Sequence, residues 1–294
     1  RVFAEIARAK PRQLLVIADG PRADHPGEGE KCAATRAVIE RVDWDCQVLT
    51  NYSDVNLGCK RRVASGLSWV FEQVDQAIVL EDDCLPHPTF FRYCEDLLER
   101  YRDDERIMHI GGNNFQLGRR RTQDSYYFSR FMHSWGWGSW RRAWQFFDAD
   151  LRQWPEVKDT GRLKDILGSS GSVAYWTRNL QQLYKGRVDT WDVQWMFAIW
   201  MQGGLCIMPN VNLVSNIGFQ STATHTNKIY WYANMPTEPM TFPMCHPSVV
   251  VQDAKADTFT QRVLFGSNLF ERGIGKASRL WRSYQRGRQQ RDKS

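Results

Sequence analysis

Short apolar runs and helical spacing alternate along the first hundred residues. The runs at 13–18 and 77–80 are short and rich in β-branched residues, as buried strands are. The pattern around them predicts one more strand at 45–50 and helices at about 1–9, 31–41, 59–73 and 89–100. Strands that alternate with helices of this length imply right-handed crossovers and a mostly parallel sheet. We therefore predict an α/β, doubly wound fold.

The regularity weakens in the second half of the chain, from about residue 131. Beyond residue 100 the pattern predicts strands at 107–110, 126–128, 205–209 and 211–214 and helices at 173–184 and 193–202. There is no internal repeat and no low-complexity linker, so we expect a single compact domain over 1–270. An α/β domain ordinarily begins with a strand before its first helix. We therefore expect that a natural first strand is missing ahead of Arg1.

The net charge of +6 comes from the end of the sequence. Eight basic residues and one acid lie between Arg272 and Ser294, which gives this segment +7 and leaves the other 271 residues at −1. A near-neutral body argues against nucleic-acid binding. The basic tail at 271–294 is either a solvated terminus or a segment that contacts an anionic membrane surface.

The seven cysteines are odd in number and contain no CxxC pair. This argues against a disulfide framework or a structural zinc site and favours reduced thiols in a cytoplasm. No apolar run has the length of a membrane span. We therefore expect a cytoplasmic protein, with peripheral membrane contact through the basic tail as an option.

Three acidic residues, Glu81-Asp82-Asp83, follow the apolar run at 77–80. Carboxylates this close repel one another unless a positive charge lies among them. A hard divalent ion, which prefers oxygen ligands, would satisfy them and could bridge to phosphates. Open α/β sheets also bind ligands at the carboxyl ends of their strands. The simpler interpretation is an acidic turn that caps the following helix.

Three further segments contain candidate chemistry, and each also has a structural interpretation. Asp192, between Trp191 and Trp195, is either a helix cap or a general base. His225 lies in a loop of small polar residues, where a metal contact is easy, although a lone histidine is more often structural. The Gly136-Trp137 segment forms either a ligand wall or ordinary aromatic packing.

Taken together, these motifs resemble those of GT-A fold glycosyltransferases. Glu81-Asp82-Asp83 with the proline, paired phenylalanines and tyrosine after it is similar to the Glu-Asp-Asp region of the N-acetylglucosaminyltransferases that start N-glycan branching. The order of later motifs agrees: Gly136-Trp137, Trp154-Pro155, and Trp191 to Trp195, where one extra residue separates Asp192 from the second tryptophan. Asn56-Leu57-Gly58-Cys59 and the His225 loop resemble bacterial family-2-like transferases of cell-surface polysaccharide synthesis. The resemblance covers about residues 12 to 230.

The resemblance implies a GT-A (Rossmann-like) domain and a role for each matched residue. Asp83 would bind Mn²⁺ or Mg²⁺ directly, with His225 as a second ligand, and Asp192 would be the general base of an inverting transfer. The nucleotide-sugar donor, for which UDP is favoured, would contact the remaining residues, namely Asp19, Lys60, Arg61, Glu81, Asp82 and Trp137. The acceptor would be a glycan or a lipid-linked sugar.

Two other functions remain open from the sequence. A nucleotidyltransferase shares the α/β sheet and an acidic metal site, but it needs a glycine-rich phosphate loop near the first strand, and none is visible. A carbohydrate-binding module would use tryptophan walls and a structural Ca²⁺. The chain also lacks the GxSxG, GxxxxGK[ST], HExxH and GxGxxG motifs, so hydrolase triads, P-loop enzymes and dinucleotide dehydrogenases have no support.

Overall fold

The structure, a computed structural model, describes residues 1–219 and 232–266. Most of the helices predicted from the pattern are present near their expected bounds. The helices are α1 (Val2–Ala9), α2 (Glu28–Arg36), α3 (Gly58–Gln73), α4 (Thr89–Arg100), α5 (Arg141–Trp144), α6 (Trp154–Val157), α7 (Arg162–Leu167), α8 (Ser170–Tyr184), α9 (Asp192–Met201) and α10 (Ala254–Leu264), with a 3₁₀ turn at Ala37–Arg41.

The strands form one central sheet and two small pairs. They are β1 (Gln13–Ala18), β2 (Gln47–Tyr52), β3 (Gln76–Val79), β4 (Cys84–Pro86), β5 (Ile107–Gly111), β6 (Tyr126–Ser129), β7 (Trp137–Trp140), β8 (Leu205–Pro209) and β9 (Val214–Asn216). The central sheet has the order β3-β7-β5-β8-β6. A parallel pair, β1-β2, and an antiparallel pair, β4-β9, lie outside its hydrogen-bonded ladder.

The prediction of a mostly parallel sheet is wrong for the hydrogen-bonded neighbours. In the central sheet only β5 and β8 pair in parallel, and the other three pairings are antiparallel. The reason is β7, which lies antiparallel between β3 and β5 and separates two strands that point the same way. The sequence did not predict β7, because its four residues, Trp137-Gly138-Ser139-Trp140, contain no alternation and include a glycine.

Both faces of the central sheet are buried. Alternate side chains of β8 illustrate this, because Cys206 and Met208 join one apolar cluster whereas Ile207 joins the other. The first cluster includes side chains of α3, α8 and α9, and the second includes those of α4. A sheet covered on both sides explains why its strands are nearly continuous apolar runs. The coarser prediction of a compact α/β fold with flanking helices is confirmed.

The chain leaves the central sheet after β3, as the prolines at 86 and 88 predict. It then forms β4, which pairs with β9 through Cys84 and Asn216, Leu85 and Ser215, and Pro86 and Val214. The second late strand therefore begins at Val214 rather than at 211, where the pattern placed it. This pair brings the segment after β9 next to the acidic turn.

Two further observations concern the cysteines and the helices. All seven cysteines are free thiols. No helix within 1–219 or 232–266 has the length and apolar character needed to cross a membrane.

Gly112, directly after β5, lies where the chain is tightly packed. A Cβ at this position would lie 2.8 Å from the carbonyl oxygen of Gly136 and 2.6 Å from a methyl carbon of Val214. Because backbone cannot yield as a flexible side chain does, we expect Gly112→Ala to lower the free energy of unfolding by about 1–3 kcal/mol. Urea denaturation measures this.

Gly171→Ala is the matched control for that substitution. It lies in the first turn of α8, where an added Cβ meets nothing within 4 Å. Alanine should leave stability unchanged or raise it by up to about 1 kcal/mol, because alanine loses less backbone entropy than glycine in a helix. Equal losses for the two variants would contradict the tight packing at Gly112.

Candidate active site

The three acidic residues occupy a tight turn between β3 and β4. The backbone N–H of Cys84 donates to the carbonyl of Glu81 at 3.0 Å, which closes the turn. The N–H of Ile217, just past β9, donates to the carbonyl of Asp83 at 2.8 Å. The turn is therefore held by one hydrogen bond within it and by another from the segment that follows β9. The carboxylates lie at the carboxyl end of β3, where ligands bind in open α/β sheets.

Glu81 is the most strongly perturbed acid of the turn. Burial raises its pKa to about 8, and repulsion from Asp83, Asp192 and Asp82 adds to this effect. A hydrogen bond from the indole N–H of Trp191 acts in the opposite direction by stabilising the carboxylate. These interactions show that the acidic turn and the start of α9 lie close together, although 111 residues separate Glu81 from Asp192.

Asp83 is held by the segment that follows β9. Burial raises its pKa, whereas hydrogen bonds from the Cys84 thiol and the Asn216 amide lower it. The carboxylate also lies against the backbone of Gly218, because a Cβ built there would be 2.2 Å from the Asp83 Oδ2. Only glycine leaves this space free for the carboxylate.

Asp192 is the first residue of α9 and is half-buried. The Thr190 hydroxyl donates a hydrogen bond to the Asp192 Oδ1. The Asp192 side chain does not cap α9, since no side-chain hydrogen bond caps this helix. The helix-cap interpretation of Asp192 therefore has no support in this geometry.

Trp137 is not a wall of the site. Its side chain is fully buried, with 0% exposure, so it cannot present a ring face to a nucleotide-sugar. The ring stacks on that of Trp191, with centroids 5.5 Å apart. It also stacks on the imidazole of His109, with centroids 5.2 Å apart. Trp137 therefore packs against Trp191 within the core and does not line the site. All tryptophans from Trp137 to Trp200 are buried, so tryptophan enrichment in this region reflects the core.

Asp19, at the end of β1, is occupied by backbone contacts. Its carboxylate accepts the N–H groups of Gly20 at 2.9 Å, Leu57 at 2.9 Å and Gly58 at 3.1 Å. This arrangement ties β1 to the beginning of α3. The observed role of Asp19 is thus to shape the loop before α3, rather than to present a free carboxylate.

Lys60 and Arg61 lie in the first turn of α3. The Lys60 Nζ is 3.7 Å from the Asp150 Oδ1, so this cation pairs with an acid outside the acidic turn. Arg61 is exposed. Across the two described segments, no ion pair involves Glu81, Asp82, Asp83 or Asp192.

Cys59 lies near four of these acids. Burial raises the pKa of its thiol to about 11, and the carboxylates of Glu81, Asp189, Asp192 and Asp19 raise it further. The thiol therefore lies within electrostatic range of the ends of β1 and β3 and the start of α9. The fold brings together acids that the sequence spreads over more than 170 residues.

His225 lies outside the described residues. In the described part of the chain, no three His, Cys, Asp or Glu side chains are placed to hold a metal ion. The protein therefore supplies no closed metal cage there. Mg²⁺ and Mn²⁺ sites that take most ligands from a diphosphate and water need only one or two carboxylates. The half-buried Asp83, in an acidic turn without a cationic partner among the described residues, fits such an ion.

Sequence reasoning missed two residues of this site. Asp189 accepts backbone N–H groups at the beginning of α3, and Thr190 contacts Asp192. Their proximity to Asp192 in Asp189-Thr190-Trp191-Asp192 was the available signal. The partners of Asp189 lie in α3, and the nearer contact in space, with Cys59, is 130 positions away in the sequence, which no local pattern shows.

The sequence matches no protein-family model and no curated protein. The function of the site therefore has to be argued from its geometry and chemistry.

The raised pKa of Glu81 predicts a pH-dependent stability. Between pH 4.5 and about 8 the folded chain keeps a proton at Glu81 that the unfolded chain has released. The contribution of Glu81 to the free energy of unfolding should therefore fall as pH rises through this window, by at most about 1.4 kcal/mol for each unit of pKa shift. Glu81→Gln, which is always neutral, lacks this contribution, so the stability of the wild type relative to Glu81→Gln should fall between the two pH values. Urea denaturation in EDTA at about pH 5 and about pH 9 measures it.

Glu99→Gln is the control, because the Glu99 side chain is 64% exposed at the end of α4. Its stability difference from the wild type should be the same at both pH values. A stability difference between the wild type and Glu81→Gln that is the same at both pH values would contradict the assignment to Glu81.

Proposed function

We propose that the protein is a metal-dependent, inverting glycosyltransferase with a GT-A fold. It would move a sugar from a nucleotide-sugar donor, with a UDP-sugar favoured, to a hydroxyl of a glycan or lipid-linked acceptor. Cell-surface polysaccharide or glycoconjugate synthesis is the setting that the sequence resemblance suggests. Seven free thiols are in keeping with a cytoplasmic enzyme.

The proposal rests mainly on one observation: the Glu81–Asp83 turn lies beside Asp192 across Trp191. A sugar transferase needs negative charge at two places. One holds a cation for the departing diphosphate, and the other accepts a proton from the incoming hydroxyl. The acidic turn and Asp192 supply these two places on different elements, with an aromatic core beneath both.

Asp192 would act as the general base. Its carboxylate would accept the proton of the acceptor hydroxyl, and the oxygen would then attack the anomeric carbon from the face opposite the diphosphate. One displacement of this kind inverts the configuration at that carbon. The Thr190 hydroxyl already donates to one carboxylate oxygen, so the other oxygen would be the one that takes the proton.

Asp83 would hold Mn²⁺ or Mg²⁺, with Asp82 and the half-buried Glu81 nearby. Such an ion, when bound, neutralises charge on the leaving diphosphate. Hydrogen bonds from Cys84, which follows the turn, and from Asn216, at the end of β9, orient the Asp83 carboxylate. His225 is proposed as a second ligand on the sequence resemblance alone.

The donor would lie between the ends of β1 and β3. Arg61 is the exposed cation nearest in sequence to the loop that Asp19 holds, and Lys60 would have to exchange its pairing with Asp150 to reach a phosphate. Asp19 would act indirectly by fixing Leu57 and Gly58. The basic segment at 271–294 is proposed as a peripheral contact with an anionic membrane, where a lipid-linked acceptor would be found.

Replacing Asp83 and Asp192 should separate donor binding from catalysis. Asp83→Ala should lower the affinity for UDP with Mn²⁺ towards the level seen in EDTA, because the ion loses its direct carboxylate ligand. Asp192→Ala should keep this affinity and lower kcat by about 10²–10⁴-fold, the usual contribution of a general base. Calorimetry with UDP and Mn²⁺, and UDP release from a panel of UDP-sugars, measure the two effects.

Asp103→Ala is the control for both variants. This side chain is 92% exposed in the turn after α4 and should leave binding and turnover unchanged. Wild-type turnover in Asp83→Ala and Asp192→Ala would falsify the mechanism. Binding of free pyranosides without any effect of UDP or Mn²⁺ would instead indicate a carbohydrate-binding module.

A further inference from the structure

Two carboxylates occupy the amino-terminal end of α3. Asp19 accepts the backbone N–H groups of Leu57 and Gly58, at 2.9 and 3.1 Å. Asp189 accepts those of Cys59 and Lys60, at 2.9 and 3.0 Å. Four successive N–H groups that have no partner within the helix are thereby satisfied. Neither acid belongs to α3, so the contacts tie three separate parts of the chain together.

Asp189 takes the position that a helix ordinarily fills with its own capping side chain. The residue before α3 is Leu57, and no side chain of the helix itself caps this end. Gly58 has a φ of 77°, and an added Cβ would lie 2.8 Å from the Asp189 Oδ2. The glycine thus allows the carboxylate to approach the backbone closely. The positive end of the helix dipole also favours the negative charge there.

Asp189 is linked to Asp192 through Thr190. Thr190 follows Asp189, and its hydroxyl donates to the Asp192 carboxylate. The carbonyl of Thr190 accepts from the Nε2 of Gln194 at 2.7 Å, and Gln194 is buried within α9. The segment from 189 to 194 is therefore fixed at one end by α3 and at the other by the first turn of α9.

We propose that Asp189 is a positioning residue that sets the place of Asp192 by fastening the 189–192 segment to the first turn of α3. This inference rests on the proposed role of Asp192 as the general base. Asp189 does not touch the reacting atoms. Its two N–H contacts hold the base relative to the acidic turn, which lies beside the same end of α3.

Removing the Asp189 carboxylate should impair turnover and leave donor binding intact. We expect Asp189→Ala to lower kcat by about 10²-fold, the size of loss that a misplacement of about 1 Å produces. The affinity for UDP with Mn²⁺ should stay at the wild-type value. Asp189→Asn keeps one acceptor oxygen, so its kcat should fall between those of the wild type and the alanine variant. UDP release and calorimetry measure these quantities.

Hydrogen exchange provides a readout that does not depend on activity. The N–H of Trp195 donates to the carbonyl of Trp191 at 3.2 Å and closes the first turn of α9. In Asp189→Ala, exchange in the peptide that contains Trp195 should become faster by about tenfold or more, because local opening becomes easier. Wild-type exchange in this peptide would overturn the proposal even if no donor were identified.

Asp19→Ala is the matched control, because it removes acceptor contacts from the same end of α3 without touching the 189–192 segment. Its Trp195 peptide should exchange as in the wild type. If Asp19→Ala sped this exchange as much as Asp189→Ala does, a general loss of the helix end would explain the effect, and the proposal would be overturned. Wild-type turnover in Asp189→Ala beside an impaired Asp192→Ala would overturn only this inference, whereas wild-type turnover in Asp192→Ala would overturn the proposed mechanism.

Discussion

Burial of Glu81 beside other carboxylates is the constraint on which the candidate site depends. Burial first, and then the charges of Asp83 and Asp192, favour the protonated form of Glu81, so ionising this acid in the folded chain costs stability. Other contacts have to hold these groups in place. The closed turn at 81–84, the β4-β9 pair and the indole N–H of Trp191 do so. No cation among the described residues pairs with these carboxylates, and this is the physical basis for proposing a metal ion beside them.

The aromatic core beneath the site explains how the half-buried Asp192 and the acidic turn keep a fixed separation. Trp137 stacks under Trp191, and Trp195 donates its indole N–H to His109 at 3.3 Å. Burial lowers the pKa of His109 to about 3, so this histidine is neutral and accepts that hydrogen bond. The tryptophans thus form a rigid platform that joins β5, β7 and α9. The tryptophans from Trp137 to Trp200 are all buried, so they belong to the core and do not form sugar-binding walls.

The sequence predicted the elements with a clear period and missed those that depend on distant partners. Apolar runs located β1, β3 and β8, and helical spacing located α3, α4 and α8. No period marks the four residues of β7, whose pairing with β3 and β5 turns the expected parallel sheet into a mixed one. In the site, the acidic residues of the turn and Asp192 were found from residue type, and the fold places them together. The sequence left a ligand wall and aromatic packing open for Trp137 because a residue type does not reveal burial, and Asp189 was missed because its partners lie in α3.

The contacts at α3 also bear on where a diphosphate would find positive charge. The amino-terminal end of a helix is a common anion site, because its free N–H groups and dipole attract phosphates. Here Asp19 and Asp189 already accept the N–H groups from Leu57 to Lys60, so this end of α3 has no free donor left among those four. The Lys60 side chain is directed to Asp150 as well. A diphosphate beside the acidic turn would therefore depend on a cation at Asp83 and on Arg61. The carboxylates that order this end of α3 therefore favour the use of a metal ion in the proposed reaction, because they occupy the backbone donors that a diphosphate would otherwise contact.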